Sequence, residues 1–396
     1  MKFIGLNSLL GSVEISKLFI SLFLLTNIGL YYDNMRSLIF LGQFLLFVVV
    51  IIKLKNFRVN KDIGFATGIF IFFTFALMSV FWSNNASLTL QSIFLLGKCV
   101  ALAICLVIVI KDINDLKLVY AMLAISGLIY GILFIENLSL NDVSSGRLKT
   151  YDDTIPNVNV VASTLMFSVI YFFSVLLKTK SKFISLLFIA SVVVIFLLGS
   201  RRAIIFSVVG VLAIAYKNIK FNNIGLIFLL VISIVLIFNI IPDDYSNYIF
   251  GKFNGLLTLS KLDDSDELRR NLLTAGLRYF IESPILGSGY YAFSSKYLQD
   301  YYESYYAHNN YIETLVGVGL IGFVAYYGIY FLIIRNCLLL LKTKNLTQDS
   351  DFLYLTVVIL FAWLGGQLFI TLSNDRFTWM LLAATSCVTP VLKKCR

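Results

Sequence analysis

Apolar runs close to the ~20 residues that cross a hydrocarbon core recur along the chain, separated by short polar breaks. Backbone groups facing lipid must be hydrogen-bonded internally, and the alternating pattern of a barrel is missing, so the runs predict helices. The pattern predicts an all-α polytopic membrane protein with about twelve transmembrane helices in one integral membrane domain, 1–396. The predicted spans are 18–32, 37–52, 63–81, 88–110, 118–135, 158–177, 183–198, 203–216, 224–241, 310–334, 352–372 and 377–392.

The composition indicates that a bilayer is the solvent for most of the chain. Of 396 residues, 59% are hydrophobic and only 14% are charged, with 35 Phe and 22 Tyr. This apolar content exceeds what one soluble core buries, which excludes an ordinary cytosolic protein. No small-residue cleavage site follows the first span, so we expect a retained anchor rather than a signal peptide.

Basic residues set the expected orientation, because short cytoplasmic loops carry Lys and Arg in excess. With the N-terminus inside, most of the 32 Lys and Arg residues fall in inner segments, while the short outer loops hold only Arg36, Arg201, Arg202 and Arg376. Both termini are therefore predicted to be cytoplasmic. The net charge of +10 then reflects topology, and no nucleic-acid partner is expected.

Two outer segments are long enough to indicate a functional region: 136–157 and the large loop 242–309. The five cysteines fall in spans or on the inner side, so we expect no disulfide in these loops. The chain has one histidine and no zinc-ligand spacing, so no metal or cofactor is expected.

Arg201 and Arg202 lie in a minimal outer turn, Gly199-Ser200-Arg201-Arg202-Ala203, against the charge bias of that face. Guanidinium groups match phosphate oxygens bidentately, and a lipid-linked pyrophosphate carries its charge at this depth. The alternative is an interfacial pair that snorkels to lipid headgroups. Both interpretations fit the sequence.

The large loop contains an apolar stripe of helical spacing, formed by Leu268, Leu272, Ala275 and Phe280, which predicts an amphipathic helix on the outer membrane boundary that ends before Pro284. Its arginines are either substrate ligands or surface charges paired with neighbouring acids. The candidate ligands on this helix are Arg269, Arg270 and Arg278.

His308 lies where the large loop meets the tenth span, in Tyr306-Ala307-His308-Asn309-Asn310-Tyr311-Ile312-Glu313. An imidazole at a wet membrane edge can take a proton from a sugar hydroxyl, whereas a lone polar residue at a helix start is equally typical of this position. Asn310 and Glu313 have the spacing of a capping box, but Glu313 also fits an intramembrane carboxylate that orients His308 or binds substrate.

Further candidates lie around this segment and within the spans. Tyrosines crowd the stretch before His308 and suit either sugar stacking or an interfacial aromatic belt. Lys98 is an isolated cation buried in the fourth span, a functional candidate facing a polar cavity. Gly317-Val318-Gly319-Leu320-Ile321-Gly322 matches GxGxxG, but no strand precedes it, so it predicts close helix packing and not a nucleotide site.

Taken in order, these motifs resemble the O-antigen ligase and polymerase superfamily. An outer Gly-Ser-Arg turn is followed by an Arg-bearing helix, by Pro-x-Leu-Gly-x-Gly, and by His-Asn with downstream Glu and glycines at the start of a span. The resemblance covers roughly 146–322. The matching residues are Gly146, Arg147, Pro156, Asn157, Ser200, Arg201, Arg269, Pro284, Gly287, Gly289, His308, Asn309, Gly319 and Gly322.

The resemblance implies a helical bundle of the membrane glycosyltransferase type (GT-C-like), with its site at the outer face of a bacterial inner membrane. It implies an undecaprenyl-pyrophosphate-linked oligosaccharide as donor, and metal-independent, inverting transfer. On this basis His308 is the expected base, with Arg201 and Arg269 as the other catalytic residues. The expected substrate-binding residues are Arg202, Arg147, Arg270, Arg278, Glu313, Asn309 and Tyr306.

Three functions stay open on the sequence. A polymerase adds the growing glycan to another lipid-linked unit, and a ligase passes it to the lipid A core; the tyrosine-rich loop favours the polymerase. A flippase of lipid-linked sugars is the alternative from another class, although the two halves show no internal similarity. The expected partners are the bilayer, the lipid-linked glycan, and a chain-length regulator and flippase of the same pathway.

Overall fold

The computed structural model describes residues 12–30, 35–54, 63–136, 157–218, 264–343 and 350–394, and every regular element within these ranges is helical. We number the α-helices in chain order. They are α1 Ser12–Leu24, α2 Arg36–Leu54, α3 Ile63–Met78, α4 Ala86–Val109, α5 Ile113–Glu136, α6 Val158–Thr179, α7 Lys182–Leu197, α8 Arg201–Asn218, α9 Asp264–Glu282, α10 Phe293–Tyr301, α11 Asn310–Leu341, α12 Ser350–Gly366, α13 Arg376–Ser386 and α14 Val388–Lys394. A π-helical turn, Leu25–Gly29, extends α1, and a 3₁₀ turn, Ser79–Trp82, extends α3.

The helices confirm a polytopic helical membrane protein. Six segments in the described ranges are long and apolar enough to cross a membrane: Arg36–Lys53, Gly64–Trp82, Ala86–Val109, Ile113–Glu136, Val158–Thr179 and Asn310–Leu341. Three shorter apolar helices accompany them: Ile15–Gly29, Lys182–Leu197 and Ser350–Gly366. The predicted span 224–241 lies outside the described residues, so the total of twelve spans stays a prediction.

Helix α6 occupies the centre of the bundle and packs against α5, α7, α8 and α12. The contact with α5 is close: the Ser168 hydroxyl donates to the Ala124 carbonyl at 2.8 Å, and Gly127 faces the same hydroxyl. Small residues allow this approach in a membrane, where helices associate by packing rather than by exclusion of water. The middle of α6 is thereby held close to α5.

Helix α11 is broken at Gly319, whose φ of 61° and ψ of −167° are not helical. This conformation is essentially restricted to glycine. The break releases backbone groups from the helical ladder, and the turn 283–291 pairs with them. Ser288 and Gly289 donate to the carbonyls of Val316 and Gly317 at 2.8 and 2.9 Å, and Leu320 donates to Pro284 O at 2.9 Å.

The glycines of GxGxxG therefore allow close packing, as predicted. Their partner, however, is the turn 283–291 and not another helix, and α11 is interrupted there. A Cβ on Gly319 would lie 2.2 Å from Ile285 O, and one on Gly287 would lie 2.5 Å from Gly317 O. Non-helical backbone at membrane depth is tolerated because it is enclosed by protein and its polar groups are paired. The two glycine motifs of the sequence thus contact one another.

The eleventh predicted span, 352–372, is too long, because α12 ends at Gly366 and a buried connection, 367–375, follows. Asn310 holds this connection: its Oδ1 accepts from Leu372 N and Ser373 N at 2.9 Å, and its amide nitrogen donates to Gln367 Oε1 at 2.8 Å. Polar side chains here replace the missing helical hydrogen bonds.

The amphipathic helix of the large loop is confirmed as α9, which ends at Glu282, before Pro284. Leu272 and Ala275 of the predicted stripe are buried with Tyr279 against residues of α10 and α11, including Phe293 and Ile312. The stripe thus faces protein. A second row, Leu273, Leu277 and Ile281, is exposed on the other side.

Candidate active site

His308 lies directly before α11, in the connection from α10. Asn309 is the N-cap of α11 and accepts from Tyr311 N and Ile312 N at 2.9 and 3.2 Å, a contribution of about 1 kcal/mol. His308 itself has φ of 50°, an uncommon value for a residue other than glycine. The cap and the turn together fix the direction of the imidazole.

The predicted capping box between Asn310 and Glu313 is wrong. It requires Asn310 to be the N-cap, whereas the N-cap is Asn309. Instead the buried Glu313 reaches back beyond the cap, and its Oε2 accepts from Ala307 N at 3.0 Å. Its Oε1 has no partner among the described residues. Glu313 thus anchors the backbone that carries His308.

Tyr306 packs on His308, with ring centroids 3.9 Å apart. Its hydroxyl accepts from the side-chain amide of Asn157, which also caps α6 by accepting from Asn159 N at 2.9 Å. Burial raises the pKa of the Tyr306 phenol to about 12, so it stays protonated. The end of the first predicted outer loop is thereby linked to the histidine segment.

Arg202 approaches from the first turn of α8. The turn before it uses Gly199 in a left-handed conformation, and the Ser200 hydroxyl donates to Asn159 Oδ1 at 3.1 Å. The Arg202 guanidinium lies 4.3 Å from the Phe369 ring centroid and donates to Phe369 O at 3.5 Å. Two cations at the positive end of a helix dipole oppose it, and a bound anion would relieve this repulsion.

Arg269 of α9 and Arg202 of α8 are close enough to His308 for their charges to act on its imidazole. Burial, then Arg269, then Arg202 lower the pKa of the imidazole from 6.5 to about 4. His308 is therefore neutral at neutral pH. Its Nδ1 is buried without a hydrogen-bond partner among the described residues, and such a group calls for a ligand or a solvent partner.

The remaining predicted residues occupy different positions. Arg201 is half-buried and adjoins Arg202, while Arg270 is exposed on α9. Arg278 forms an ion pair with Asp300, and the Asp300 carboxylate also accepts a hydrogen bond from the Tyr279 hydroxyl at 2.8 Å. Arg278 lies about 13 Å further along α9 than Arg269. Arg147 lies outside the described residues. The structure thus groups His308 with Arg269 and Arg202.

Sequence reasoning missed the polar framework behind this group. Gln367 and Asn310 join the start of α11 to the 367–375 connection, which supplies the Phe369 carbonyl to Arg202. The signal was Gly365-Gly366-Gln367, a polar interruption inside an otherwise apolar run. In the described ranges no three His, Cys, Asp or Glu side chains are grouped as metal ligands.

The fold and this site define a polytopic helical membrane protein that gathers one neutral histidine and two arginines at one end of its bundle. Residues 186–327 match the family model described as O-antigen ligase. This match agrees with the resemblance to the O-antigen ligase and polymerase superfamily over those residues. No curated protein matches the chain.

Proposed function

We propose that the protein is a surface-polysaccharide polymerase, with both termini in the cytoplasm and its site at the outer face of a bacterial inner membrane. It transfers a glycan from undecaprenyl pyrophosphate to a hydroxyl of a lipid-linked acceptor sugar. The observation that carries the proposal is the unpartnered Nδ1 of a neutral His308 beside the charges of Arg269 and Arg202. A base next to two phosphate ligands is what this transfer requires.

In the proposed reaction His308 accepts the proton of the acceptor hydroxyl as its oxygen attacks the anomeric carbon. The bond from that carbon to the pyrophosphate oxygen breaks, and the configuration inverts. The pyrophosphate leaves on its lipid, and the proton on His308 passes to solvent. No metal takes part in this scheme. Glu313 is a positioning residue, because it binds the Ala307 backbone.

Arg269 and Arg202 stabilise the charge that grows on the departing pyrophosphate, and Arg201 assists from the same helix start. Fixed cations in a partly desolvated site act more strongly than in water. The tyrosines before His308 include Tyr301 and Tyr302, both exposed, and Tyr301 stacks on Tyr297 with centroids 4.5 Å apart. We propose that this aromatic surface holds the acceptor sugar.

His308→Ala in full-length protein in liposomes, supplied with lipid-linked oligosaccharide, tests the proposal. The variant should lose about 100-fold or more in kcat, the contribution of a general base. Lys342→Ala, an exposed residue at the other end of α11, is the control and should retain full activity. Normal polymer from His308→Ala in correctly folded protein would refute the general-base role.

Ligase activity is the second candidate, because the matched family model is described as O-antigen ligase. A gene deletion separates the two: core carrying one repeat unit supports the polymerase, and lipid-linked polymer with bare core supports the ligase. Accumulation of unflipped intermediates would instead support the flippase. Contacts with a chain-length regulator and flippase belong to the polymerase proposal.

A further inference from the structure

A cavity lined in part by charged and polar residues lies inside the bundle. It encloses about 250 Å³ between α4, α5, α6 and the 367–375 connection. That volume is the space of about eight waters, or of one small polar group. Its charged and polar lining includes Lys98, Tyr291, Thr371, Asn374, Asp375 and Arg376.

The charges in this cavity are predominantly positive. Lys98 and Arg376 bring two cations, whereas Asp375 brings one carboxylate. That carboxylate is already used as the N-cap of α13, because its Oδ2 accepts from Thr378 N and Thr378 Oγ1 at 2.7 and 2.8 Å. Asp375 therefore already compensates the positive end of α13, and the two cations leave the cavity with an excess of positive charge that favours an anion.

An unsatisfied hydroxyl in the lining also indicates a ligand. Thr371 is 8% exposed, lines the cavity, and its Oγ1 has no hydrogen-bond partner in the part of the chain that is described. A buried hydroxyl without a hydrogen-bond partner lowers the stability of the fold, and a phosphate oxygen would accept a hydrogen bond from it. This observation is independent of the charges.

The lining of the cavity includes exposed residues of α4, a candidate membrane span. Lys98 and Leu95 line the cavity and are also exposed, and Lys98 Nζ lies 4.4 Å from the centroid of the exposed Phe94 ring. The sequence prediction that Lys98 is buried was wrong, whereas its position at a polar cavity is confirmed. A cation on a lipid-facing surface is unfavourable in free energy unless it is paired with an anion.

Tyr291 connects the cavity to the candidate active site. It lines the cavity, and burial raises the pKa of its phenol, with Glu313, Tyr306 and Asp375 adding to the rise. Glu313 and Tyr306 belong to the His308 segment, whereas Asp375 belongs to the cavity. Tyr291 thus adjoins the cavity and is close enough to the His308 segment to feel its charges.

We propose that the cavity is a second phosphate site, which takes the pyrophosphate of a polyprenyl lipid entering sideways past Lys98. The inference rests on the proposed polymerase, in which donor and acceptor both carry such a lipid. Arg269 and Arg202 bind the donor, and Lys98, Arg376 and Thr371 bind the acceptor. The acceptor glycan then reaches His308 past Tyr291.

Native mass spectrometry of the full-length protein with undecaprenyl pyrophosphate tests this directly. The wild type should bind two equivalents, and Lys98→Gln, at an exposed position that tolerates substitution, should bind one. Thr371→Val, of similar volume, should weaken the same equivalent about tenfold, the effect of one lost hydrogen bond. Lys117→Gln, an exposed lysine on α5, is the matched control and should bind two.

Two equivalents in Lys98→Gln would overturn the second site. Inorganic pyrophosphate is the probe for lipid dependence: if it displaces the Lys98-dependent equivalent at the same concentration as the lipid, the site is a general anion site and the lipid assignment is wrong. Arg269→Gln reports separately on the donor site. If Arg269→Gln binds one equivalent while Lys98→Gln still binds two, the proposed function is retained and only the phosphate site in the cavity is rejected.

Discussion

At the scale of single residues, the state of His308 depends on its neighbours. A histidine with an ordinary pKa would be partly protonated at pH 6.5, and an imidazolium cannot accept a proton. Burial with Arg269 and Arg202 keeps the ring neutral in the free protein. In the proposed reaction, the arginines that bind the pyrophosphate therefore also keep the base neutral.

This coupling predicts a shift of the pH profile in Arg269→Gln. In the wild type the acid limb of kcat/KM should lie near pH 4, because activity is lost only when His308 is protonated. Removing the Arg269 charge raises the pKa of His308, so the limb should move towards pH 6.5 while the rate falls. The pH dependence of kcat/KM measures this, and an unmoved limb would contradict the coupling.

Arg202 and Arg201 can be separated by paired substitutions. Lysine keeps the charge but loses the planar fork, so Arg202→Lys should lose about 100-fold in kcat, as for removal of one transition-state donor. Arg201→Lys should lose less, since Arg202, and not Arg201, is among the charges that lower the pKa of His308. Arg335→Lys, exposed on α11, is the control. A larger loss in Arg201→Lys would return the main role to Arg201.

Candidate site residues could be predicted from the sequence because ionisable side chains are rare in this chain. One histidine and a few arginines stand out against apolar surroundings, and the structure brings His308, Arg269 and Arg202 together. The choice between Arg201 and Arg202 was not predictable, because it depends on which face of α8 turns towards Phe369. The capping box with Asn310, one of the alternatives for Glu313, was wrong because the N-cap is Asn309.

At the scale of elements, the break in α11 is the main departure from the pattern. Apolar residues continue through Gly319, so hydropathy alone predicts one uninterrupted span. The interruption depends on a tertiary partner, the turn 283–291, whose backbone replaces the lost helical hydrogen bonds. A single-sequence pattern contains no such partner.

The break predicts opposite outcomes for two glycines of α11. Gly319→Ala should lower the stability of the folded protein by more than about 2 kcal/mol, because φ is positive and a Cβ meets Ile285 O at 2.2 Å. Gly328→Ala meets nothing within 4 Å and should raise stability by up to about 1 kcal/mol. Thermal unfolding in detergent compares them. Equal behaviour of the two variants would show that the break is dispensable.

At the scale of the whole molecule, the helix ends are sorted by charge. Lys178 at the end of α6 and Lys217 at the end of α8 both pair with Asp351 at the start of α12, at 3.1 and 3.0 Å. Asn157 and Arg202 lie at the opposite ends of α6 and α8. The basic ends and the candidate site are thus on opposite sides of the bundle, as the sequence orientation requires.

Cysteine labelling tests this orientation. In a background without the native cysteines, a cysteine at Ser260 should react with an impermeant reagent added from outside, because the large loop is predicted to be external. A cysteine at Asn345 should react only after the membrane is opened. The reverse pattern would overturn the orientation and with it the outer site.

Helix type and approximate ends were predictable because span length follows from bilayer thickness. The end of α12 was misplaced because Gln367 is buried by partners distant in sequence, including Tyr330, whose hydroxyl accepts from it at 2.7 Å. Buried polar networks are set by tertiary structure, which is why the 367–375 connection and the other residues that line the Lys98 cavity were not predictable from the sequence.

The broken helix α11 also sets a distance. His308 precedes its first turn, and Gly319, about 16 Å further along, binds the turn that follows α9. His308 and α9, the helix that carries Arg269, are therefore both attached to the first part of α11. Their spacing does not depend on the number of spans or on the lengths of loops elsewhere. In the proposed reaction, the surrounding loops can then change without altering the spacing between His308 and the helix that carries Arg269.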